Sequence, residues 1–327
     1  PSWIPSEPYL SIPSLTAYLR RAGIDVIQRD LNIETLEVLL DHEKMSPLYK
    51  NMVAELKSGV NGERGERLKA AIKAIPGLSE RLPLAKVNLR TGMFFDMDYY
   101  LESLKVIDRW MEHILAAYHP SSVTLVDNQM RYSVYSSADI LAAVADDKEN
   151  PFFWIFKEHI VPSIIKEGPG LVGISITSTS QIIPGFTLAY MIKKQAPEIH
   201  ITVGGSIFTK LIDIIPRVAE RLFTLADSFI LFEGEYPILR LIEELEGQRD
   251  FKSVPNMVYR KNGHTYINEP FYNEDPKELP TPDYDGFPLR LYHTPRLVLP
   301  LQTSRGCYWR RCAFCNLHLD HLRYRPR

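Results

Sequence analysis

Cysteine is scarce in this sequence of 327 residues, and the few cysteines that occur lie close together. They are Cys307, Cys312 and Cys315, which fall within nine residues of one another. Such an odd, clustered set of thiols excludes a disulfide framework and is typical of a reducing compartment. We therefore expect a cytoplasmic protein in which these thiols bind a metal.

Long hydrophobic runs, a visible secretory leader and an excess of one charge are also missing. The apolar stretches have the length of strands, far short of the ~20 residues that a membrane helix needs. The 38 Lys and Arg residues balance 40 Asp and Glu residues, which gives a formal net charge of -2. We therefore expect no membrane association, and the charge balance argues against a uniformly basic nucleic-acid binder.

The two ends of the sequence predict a fragment. The sequence begins at Pro1 rather than at methionine, and it ends at Arg327, twelve residues after Cys315. A metal cluster needs surrounding residues that orient its ligands and exclude water, and twelve residues are too few to supply them. We expect that the chain is truncated at both ends.

Most of the chain has the periodicity of an α/β domain. Continuous apolar runs such as 171–176 and 199–203 alternate with helical stretches such as 183–194, which predicts βαβ units and a doubly wound parallel sheet. A helix at 9–22 followed by a strand at 24–28 indicates that the first strand of this domain precedes Pro1. The domain is predicted over 1–249.

Two other segments depart from this alternation. Residues 33–120 are predicted to be a mainly helical insertion, in which the amphipathic stretch 98–118 is interpreted as core packing. Residues 250–295 combine a predicted hairpin around Lys261-Asn262-Gly263 with many prolines, which is typical of a linker. A strand is predicted over 297–303, leading directly into the cysteines.

Three predicted strand ends carry small and polar residues where open α/β sheets bind ligands. Each of them alone is more often a turn or a helix cap than a binding site. Together they predict a large planar or nucleotide-like ligand, although neither a GxGxxG nor a GxxxxGK[ST] motif occurs. The candidate residues are Ser175, Thr177, Ser178, Gly204, Gly205, Ser206, Glu233 and Gly234.

The cysteine segment is the sharpest signal in the chain. Cys307, Cys312 and Cys315 have the spacing C-x4-C-x2-C, and Phe314 precedes the last of them. Thiolates suit either an iron–sulfur cluster or zinc. With His318, three residues after the last cysteine, they also match a tetrahedral Cys3His zinc site, so both metals remain open on these residues alone.

These segments resemble the cobalamin-dependent radical SAM enzymes, in particular members that modify peptides. The matching residues are 171–177, Val203-Gly204-Gly205-Ser206, Phe232-Glu233-Gly234-Glu235 and the cysteine motif with its aromatic Phe314. The first spacing of that motif is one residue longer than the usual C-x3-C-x2-C. The Asp-x-His-x-x-Gly motif of the B12 mutases does not occur, which implies cobalamin bound without a protein histidine on cobalt.

The resemblance implies the following fold, cofactors and partners. The α/β domain would be Rossmann-like and bind cobalamin through the strand-end residues named above, and 296–327 would begin a radical SAM barrel of the TIM type. Cys307, Cys312 and Cys315 would ligate a [4Fe–4S] cluster, and Phe314 would lie against S-adenosylmethionine. The reaction would be methylation of an unactivated carbon in a peptide or small molecule, although some members cyclise or rearrange their substrates. An electron donor such as a flavodoxin or ferredoxin would serve it.

Two alternatives follow from the same residues. One is a non-catalytic cobalamin- or nucleotide-binding module with a Cys3His zinc site. The other concerns residues 305–327, which contain six arginines and one acid and could touch RNA or a leader peptide. We expect these arginines to be solvated or to pair with acids in the remainder of the barrel, so nucleic acid is not a predicted partner.

Overall fold

The computed structural model describes residues 4–269, 271–315, 321 and 323–327. Its helices, in chain order, are α1 (Ser11–Arg21), α2 (Leu31–Leu39), α3 (His42–Lys57), α4 (Gly62–Arg90), α5 (Met97–Ile114), α6 (Ser137–Ala145), α7 (Pro151–Ile155), α8 (Val161–Glu167), α9 (Ile182–Gln195), α10 (Ser206–Lys210), α11 (Ile215–Leu222) and α12 (Glu235–Glu246). A π-helical turn, Phe156–Ile160, joins α7 to α8. In the described part of the chain no helix is both long enough and apolar enough to cross a membrane.

Polar side chains start several of these helices. Asp30, Asp41 and Asp96 accept hydrogen bonds from backbone N–H groups in the first turns of α2, α3 and α5, and Asn150 does the same for α7. The first N–H groups of a helix have no partner within the helix, so these side chains stabilise its start. These short-range contacts explain why the helical region follows its local sequence closely.

The strands are β1 (Ser122–Val123), β2 (Asn128–Gln129), β3 (Leu171–Ser175), β4 (His200–Gly204), β5 (Ser228–Ile230), β6 (Met257–Lys261), β7 (His264–Ile267), β8 (Ser304–Arg305) and β9 (Arg325–Pro326). The central sheet has the order β3-β4-β5-β6-β7. β3, β4 and β5 are parallel, whereas β6 and β7 are antiparallel to their neighbours. The chain is therefore an α/β protein with a mixed five-stranded sheet.

Helices cover both faces of this sheet. Successive residues of a strand point to opposite faces. Phe229 of β5 belongs to the large core that contains α9, whereas the next residue, Ile230, packs in a second cluster with Leu241 of α12. The large core also includes buried side chains of α2 to α5, such as Trp110, so the helical region at 33–120 and the sheet share one interior.

The prediction of a purely parallel sheet is wrong, because the hairpin at 257–267 belongs to the sheet. β6 pairs with β5, and Met257, Val258 and Tyr259 are buried. The two hairpin strands were identifiable from their sequence, but a hairpin signal is local and does not specify which neighbour its outer edge will pair with. Apolar side chains on β6 make it a core strand rather than part of a linker.

Two predicted strands are also absent from the structure. Residues 24–28 and 297–303 do not form strands within the described chain, since they have no ladder partner there. The apolar residues of the second segment are exposed, with Leu301 at 79% of its full accessibility. Between α10 and α11, residues 211–214 form a turn rather than a continuous helix.

Candidate functional site

One cavity of about 1470 Å³ reaches the carboxyl end of the parallel strands. Seven of the eight predicted ligand-contact residues line it, namely Ser175, Thr177, Gly204, Gly205, Ser206, Glu233 and Gly234. Ser178, the eighth, is not among its lining residues. The fold therefore brings the three strand ends to one place, as the parallel arrangement of β3, β4 and β5 requires.

The loop after β3 is organised by Gln181. Its Oε1 accepts hydrogen bonds from the backbone N–H groups of Thr177 (2.8 Å) and Ser178 (3.2 Å) and from the Thr177 hydroxyl (3.1 Å). Ser178 and Gln181 form a capping box at the start of the helical turn that leads into α9. The hydroxyl-bearing Thr177 and Ser178 thus already serve a local structural role, and Thr177 also lines the cavity.

The loop after β4 approaches the loop after β3 very closely at Gly205. This glycine has a φ of +118°, and a Cβ atom placed on it would lie 2.0 Å from the carbonyl oxygen of Ile176. No other residue type fits there without moving one of the two backbones. Gly205 therefore fixes how the strand ends of β3 and β4 meet beneath the cavity.

Glu233, after β5, is the centre of a buried ionic cluster. Its carboxylate binds Arg305 (Nη1 to Oε2, 2.9 Å), His321 (Nδ1 to Oε1, 2.8 Å) and Arg325, and it accepts the backbone N–H of Glu274 at 2.9 Å. Arg305 also binds Glu235, the first residue of α12, at 2.5 Å. The side chains of both acids and both arginines are at most 8% exposed.

The charges of this cluster set the pKa of Glu233. Burial alone would raise the pKa of Glu233, but hydrogen bonds from His321 and Arg325 and the charge of Arg305 outweigh it and lower that pKa to about 2. Two acids from the body of the protein face two arginines from the C-terminal segment, so each of these four buried charges has an opposite partner. Removing one partner would leave a buried charge without compensation.

Sequence reasoning missed this cluster. The arginines of 305–327 were expected to be solvated or to pair with acids outside the chain, and for Arg305 and Arg325 that expectation is wrong because both pair with Glu233. The available signal was the acidic Glu233-Gly234-Glu235 at a strand end together with an arginine-rich segment. Only the fold shows that the two segments meet.

The cysteines lie in a loop that is closed at its base by a short pair of strands. β8 pairs with β9, so that Ser304 faces Pro326 and Arg305 faces Arg325. Gly306 has a φ of +76°, and a Cβ atom on it would lie 2.6 Å from the carbonyl oxygen of Arg323, so the two sides of the loop touch directly. The same arginines that form this base also bind Glu233, which attaches the cysteine loop to the sheet.

The three thiols are free, with Cys312 exposed and Cys307 and Cys315 partly exposed. In the described ranges, no three His, Cys, Asp or Glu side chains are placed to hold one metal ion. His318, the fourth ligand of the zinc alternative, lies outside the described residues. As a donor set, three thiolates within nine residues fit an iron–sulfur cluster, which binds through cysteine thiolates. Phe314, beside them, is 94% exposed.

No protein-family model matches the chain, and no curated protein matches it either.

Proposed function

We propose that this protein is a cobalamin-dependent radical SAM enzyme. It would cleave S-adenosylmethionine reductively at a [4Fe–4S] cluster and methylate an unactivated carbon of a peptide or small-molecule substrate. The proposal rests on the resemblance of the strand-end segments and of the C-x4-C-x2-C motif. Under this proposal the α/β domain is Rossmann-like. The protein is cytoplasmic and receives electrons from a flavodoxin or ferredoxin.

The observation that supports it most is the attachment of the cysteine loop to the carboxyl end of the sheet. Arg305 and Arg325 close the base of that loop and bind Glu233, which itself lines the strand-end cavity. A thiol-bound cofactor and a ligand in the cavity would therefore be held at the same edge of the molecule. An enzyme that uses both cofactors in one reaction requires this proximity.

The roles of the residues follow from their positions. Cys307, Cys312 and Cys315 would supply the three thiolates, and exposed Phe314 would cover part of S-adenosylmethionine. When bound, the cluster supplies the electron for the cleavage and cobalamin carries the methyl group. Glu233 already has its carboxylate engaged by Arg305 and Arg325, so we assign it as a positioning residue that holds the loop.

On the cobalamin side, the strand ends offer small side chains, while two histidines of the cavity lining, His200 and His321, bind Ser228 and Glu233 respectively. Ser175, Thr177, Gly204 and Ser206 line the cavity together with the tightly packed Gly205. Glycines and hydroxyls allow a large ligand to approach the backbone closely. This lining suits a corrin whose cobalt has no ligand from the protein, as the resemblance implies.

Anaerobic reconstitution with iron, sulfide and hydroxocobalamin tests the proposal. We expect about four irons and four sulfides per chain, a brown colour, and cobalamin that stays with the protein through gel filtration. Cys312→Ser should lose most of the iron and sulfide while keeping cobalamin. Ser206→Tyr, which places a bulky side chain on the cavity lining, should lose cobalamin while keeping the cluster, and Thr224→Tyr on the exposed surface is its control.

The outcomes separate the two functional classes. A colourless protein with one tightly bound zinc would contradict the cluster and favour the binding module with a zinc site. A brown protein that does not retain cobalamin would contradict the assignment of the cavity. Formation of 5′-deoxyadenosine from S-adenosylmethionine by the reduced, reconstituted protein is the expected activity.

A further inference from the structure

Glu233 follows a strained turn of the backbone. Phe232, the residue before it, has a φ of +57°, a left-handed conformation that bulky side chains rarely adopt. Such conformations persist only where the surrounding structure fixes them, and they concentrate at functional sites. We therefore expect neighbouring residues to fix the direction in which the chain leaves β5 at Glu233.

Contacts on both sides of Phe232 hold this turn. The N–H of Phe232 donates to the hydroxyl of Thr209 (2.6 Å), and the centroid of its ring lies 4.6 Å from that of Phe271. The carbonyl of Glu233 accepts a hydrogen bond from the side-chain amide of Asn256 (3.0 Å). Asn256 is thus the member of this set that binds Glu233 itself.

Asn256 joins the end of β5 to the segment 272–274. It lies in the turn before β6, is fully buried, and has a φ of +59°. Besides binding Glu233, its Nδ2 donates to the carbonyl of Tyr272 (2.7 Å), and its Oδ1 accepts the N–H of Tyr272 (2.6 Å). These bonds assign the orientation of the amide, because Nδ2 faces two carbonyls and Oδ1 faces an N–H. The backbone carbonyl of Asn256 accepts the N–H of Leu231 (2.8 Å).

The segment 272–274 in turn binds the carboxylate of Glu233. The N–H of Glu274 donates to Oε2 of Glu233 (2.9 Å), and the carbonyl of Glu274 accepts a hydrogen bond from Arg325. Arg325 closes the base of the cysteine loop opposite Arg305. Asn256 therefore sets the spacing between the backbone of Glu233 and a segment that binds both its carboxylate and the loop.

We propose that Asn256 is a positioning residue for the cysteine loop. Its amide holds Glu233 and the segment 272–274 at the spacing that lets the carboxylate receive the basic side chains of the loop. Asn256 is not among the lining residues of the cavity, so it acts through Glu233 rather than on a ligand. The seat of the loop depends on these contacts alone, whereas an effect on catalysis rests on the proposed function.

Asn268, just after β7, is the matched control. It is 8% exposed, and its Nδ2 also donates to two carbonyls, those of Phe251 (2.6 Å) and Val254 (2.7 Å). Neither carbonyl belongs to the Glu233 cluster. Replacing either asparagine with glycine removes a buried amide, and glycine accommodates the left-handed φ at position 256. The two variants therefore separate the loss of a buried amide from the loss of the contact to Glu233.

Double electron–electron resonance measures the seat of the loop without any cofactor. Nitroxide labels are attached to Arg323→Cys, beside the base of the loop, and to Gln195→Cys at the end of α9, in the 327-residue chain with its three native cysteines changed to serine. We expect a narrow distance distribution in this parent and in Asn268→Gly. In Asn256→Gly the distribution should broaden about twofold or more, because a loop without its anchor samples several positions. Circular dichroism checks that each variant is folded, and Asn256→Ser replaces Asn256→Gly if the latter is not.

Activity gives a separate readout, which depends on the proposed function. In reconstituted protein with its native cysteines, Asn256→Gly should lower the rate of 5′-deoxyadenosine formation about tenfold or more, because small misplacements of reacting groups have effects of that size. Its iron content should equal that of wild type. If wild type forms no 5′-deoxyadenosine, the proposed function fails, whereas the distance measurement still decides the role of Asn256.

The distance distributions also decide whether Asn256 acts through Glu233. Glu233→Gln should broaden the distribution as Asn256→Gly does, and the double variant should broaden it no further, because both residues act on one anchor. Equal widths in Asn256→Gly and Asn268→Gly, whether narrow or broad, would overturn the proposal. Additive broadening in the double variant would overturn it as well, since Asn256 would then hold the loop by another route.

Discussion

Two carboxylates, Glu37 and Glu233, each gather three basic side chains, but they are built differently. Glu37 binds Lys86 (2.9 Å), Arg90 (2.6 Å) and His293 (3.0 Å), and its side chain is 16% exposed. Lys86 and Arg90 belong to α4, so most of the compensating charge comes from the same helical region. The cluster would stay paired without its C-terminal member.

All the basic side chains that bind Glu233 in the described ranges come from the C-terminal segment, and the Glu233 side chain is 3% exposed. The acids of that cluster therefore depend on residues that are distant in sequence. The comparison indicates that the Glu37 cluster stabilises a region that is already assembled, whereas the Glu233 cluster decides whether the cysteine loop is attached to the sheet. The following predictions test that difference.

The largest expected effect is the loss of charge at Glu233. Glu233→Gln leaves Arg305 and Arg325 buried with weakened partners and should lower the free energy of unfolding by about 3–5 kcal/mol. Glu37→Gln should cost about 1–2 kcal/mol, because Lys86 and Arg90, two of its three partners, reach water. Urea unfolding followed by circular dichroism measures both, and Glu243→Gln in a surface pair is the control. An equal loss in the free energy of unfolding for Glu37→Gln would contradict the proposed difference between the two clusters.

Acid should abolish the contribution of both carboxylates to the free energy of unfolding in the same pH range. Although burial opposes it, hydrogen bonds and nearby cations lower the pKa of each to about 2, from an unfolded value of about 4.3. The stabilisation is therefore fully present above about pH 4.5 and is lost as the pH falls toward 2. The difference in the free energy of unfolding between wild type and Glu233→Gln should shrink by roughly 3 kcal/mol over that range. A difference that is constant with pH would contradict a charged Glu233.

A double-mutant cycle should show stronger coupling in the Glu233 cluster. Arg305→Leu alone leaves Glu235 buried without its cation, whereas Arg305→Leu combined with Glu235→Leu removes both charges. We expect a coupling free energy of about 2 kcal/mol from urea unfolding. The corresponding cycle of His293→Leu with Glu37→Leu should give less than about 1 kcal/mol, because Arg90 still compensates Glu37 in the single variant.

The smallest expected effect is that of salt. Raising NaCl from 0.1 to 1 M should reduce the cost of Glu37→Gln by about 0.5 kcal/mol, because partly exposed charges are screened. The cost of Glu233→Gln should stay within error, since its cluster is almost fully buried. Equal salt sensitivity at the two sites would mean that water reaches Glu233 as well.

Much of the secondary structure could be predicted from local sequence. The amphipathic stretch at 98–118 is α5 with a short helical turn after it, and the helical stretch at 183–194 is α9. The strand at 171–176 and the hairpin around Lys261-Asn262-Gly263 are present too. These elements depend on periodicity, caps and turn residues, all of which act within a few positions of the chain.

The errors came from segments whose state depends on a distant partner. Residues 24–28 and 297–303 have the composition of strands but pair with no strand in the described ranges. A strand obtains its backbone hydrogen bonds from another segment, so composition alone cannot establish it. The same reason explains why the pairing of β6 with β5 was not predicted.

By itself, the sequence determined the α/β class, the helices that are fixed by their own caps and periodicity, and the clustering of three thiols in one loop. Seven of the eight candidate residues that it identified line the cavity, because parallel strands place their carboxyl ends at one edge. The tertiary structure alone decided that Arg305 and Arg325 meet Glu233, and that β3 pairs with β4 alone among the described strands. Ion pairs and strand edges are contacts between segments far apart in the chain, and only folding selects which of the possible partners come together.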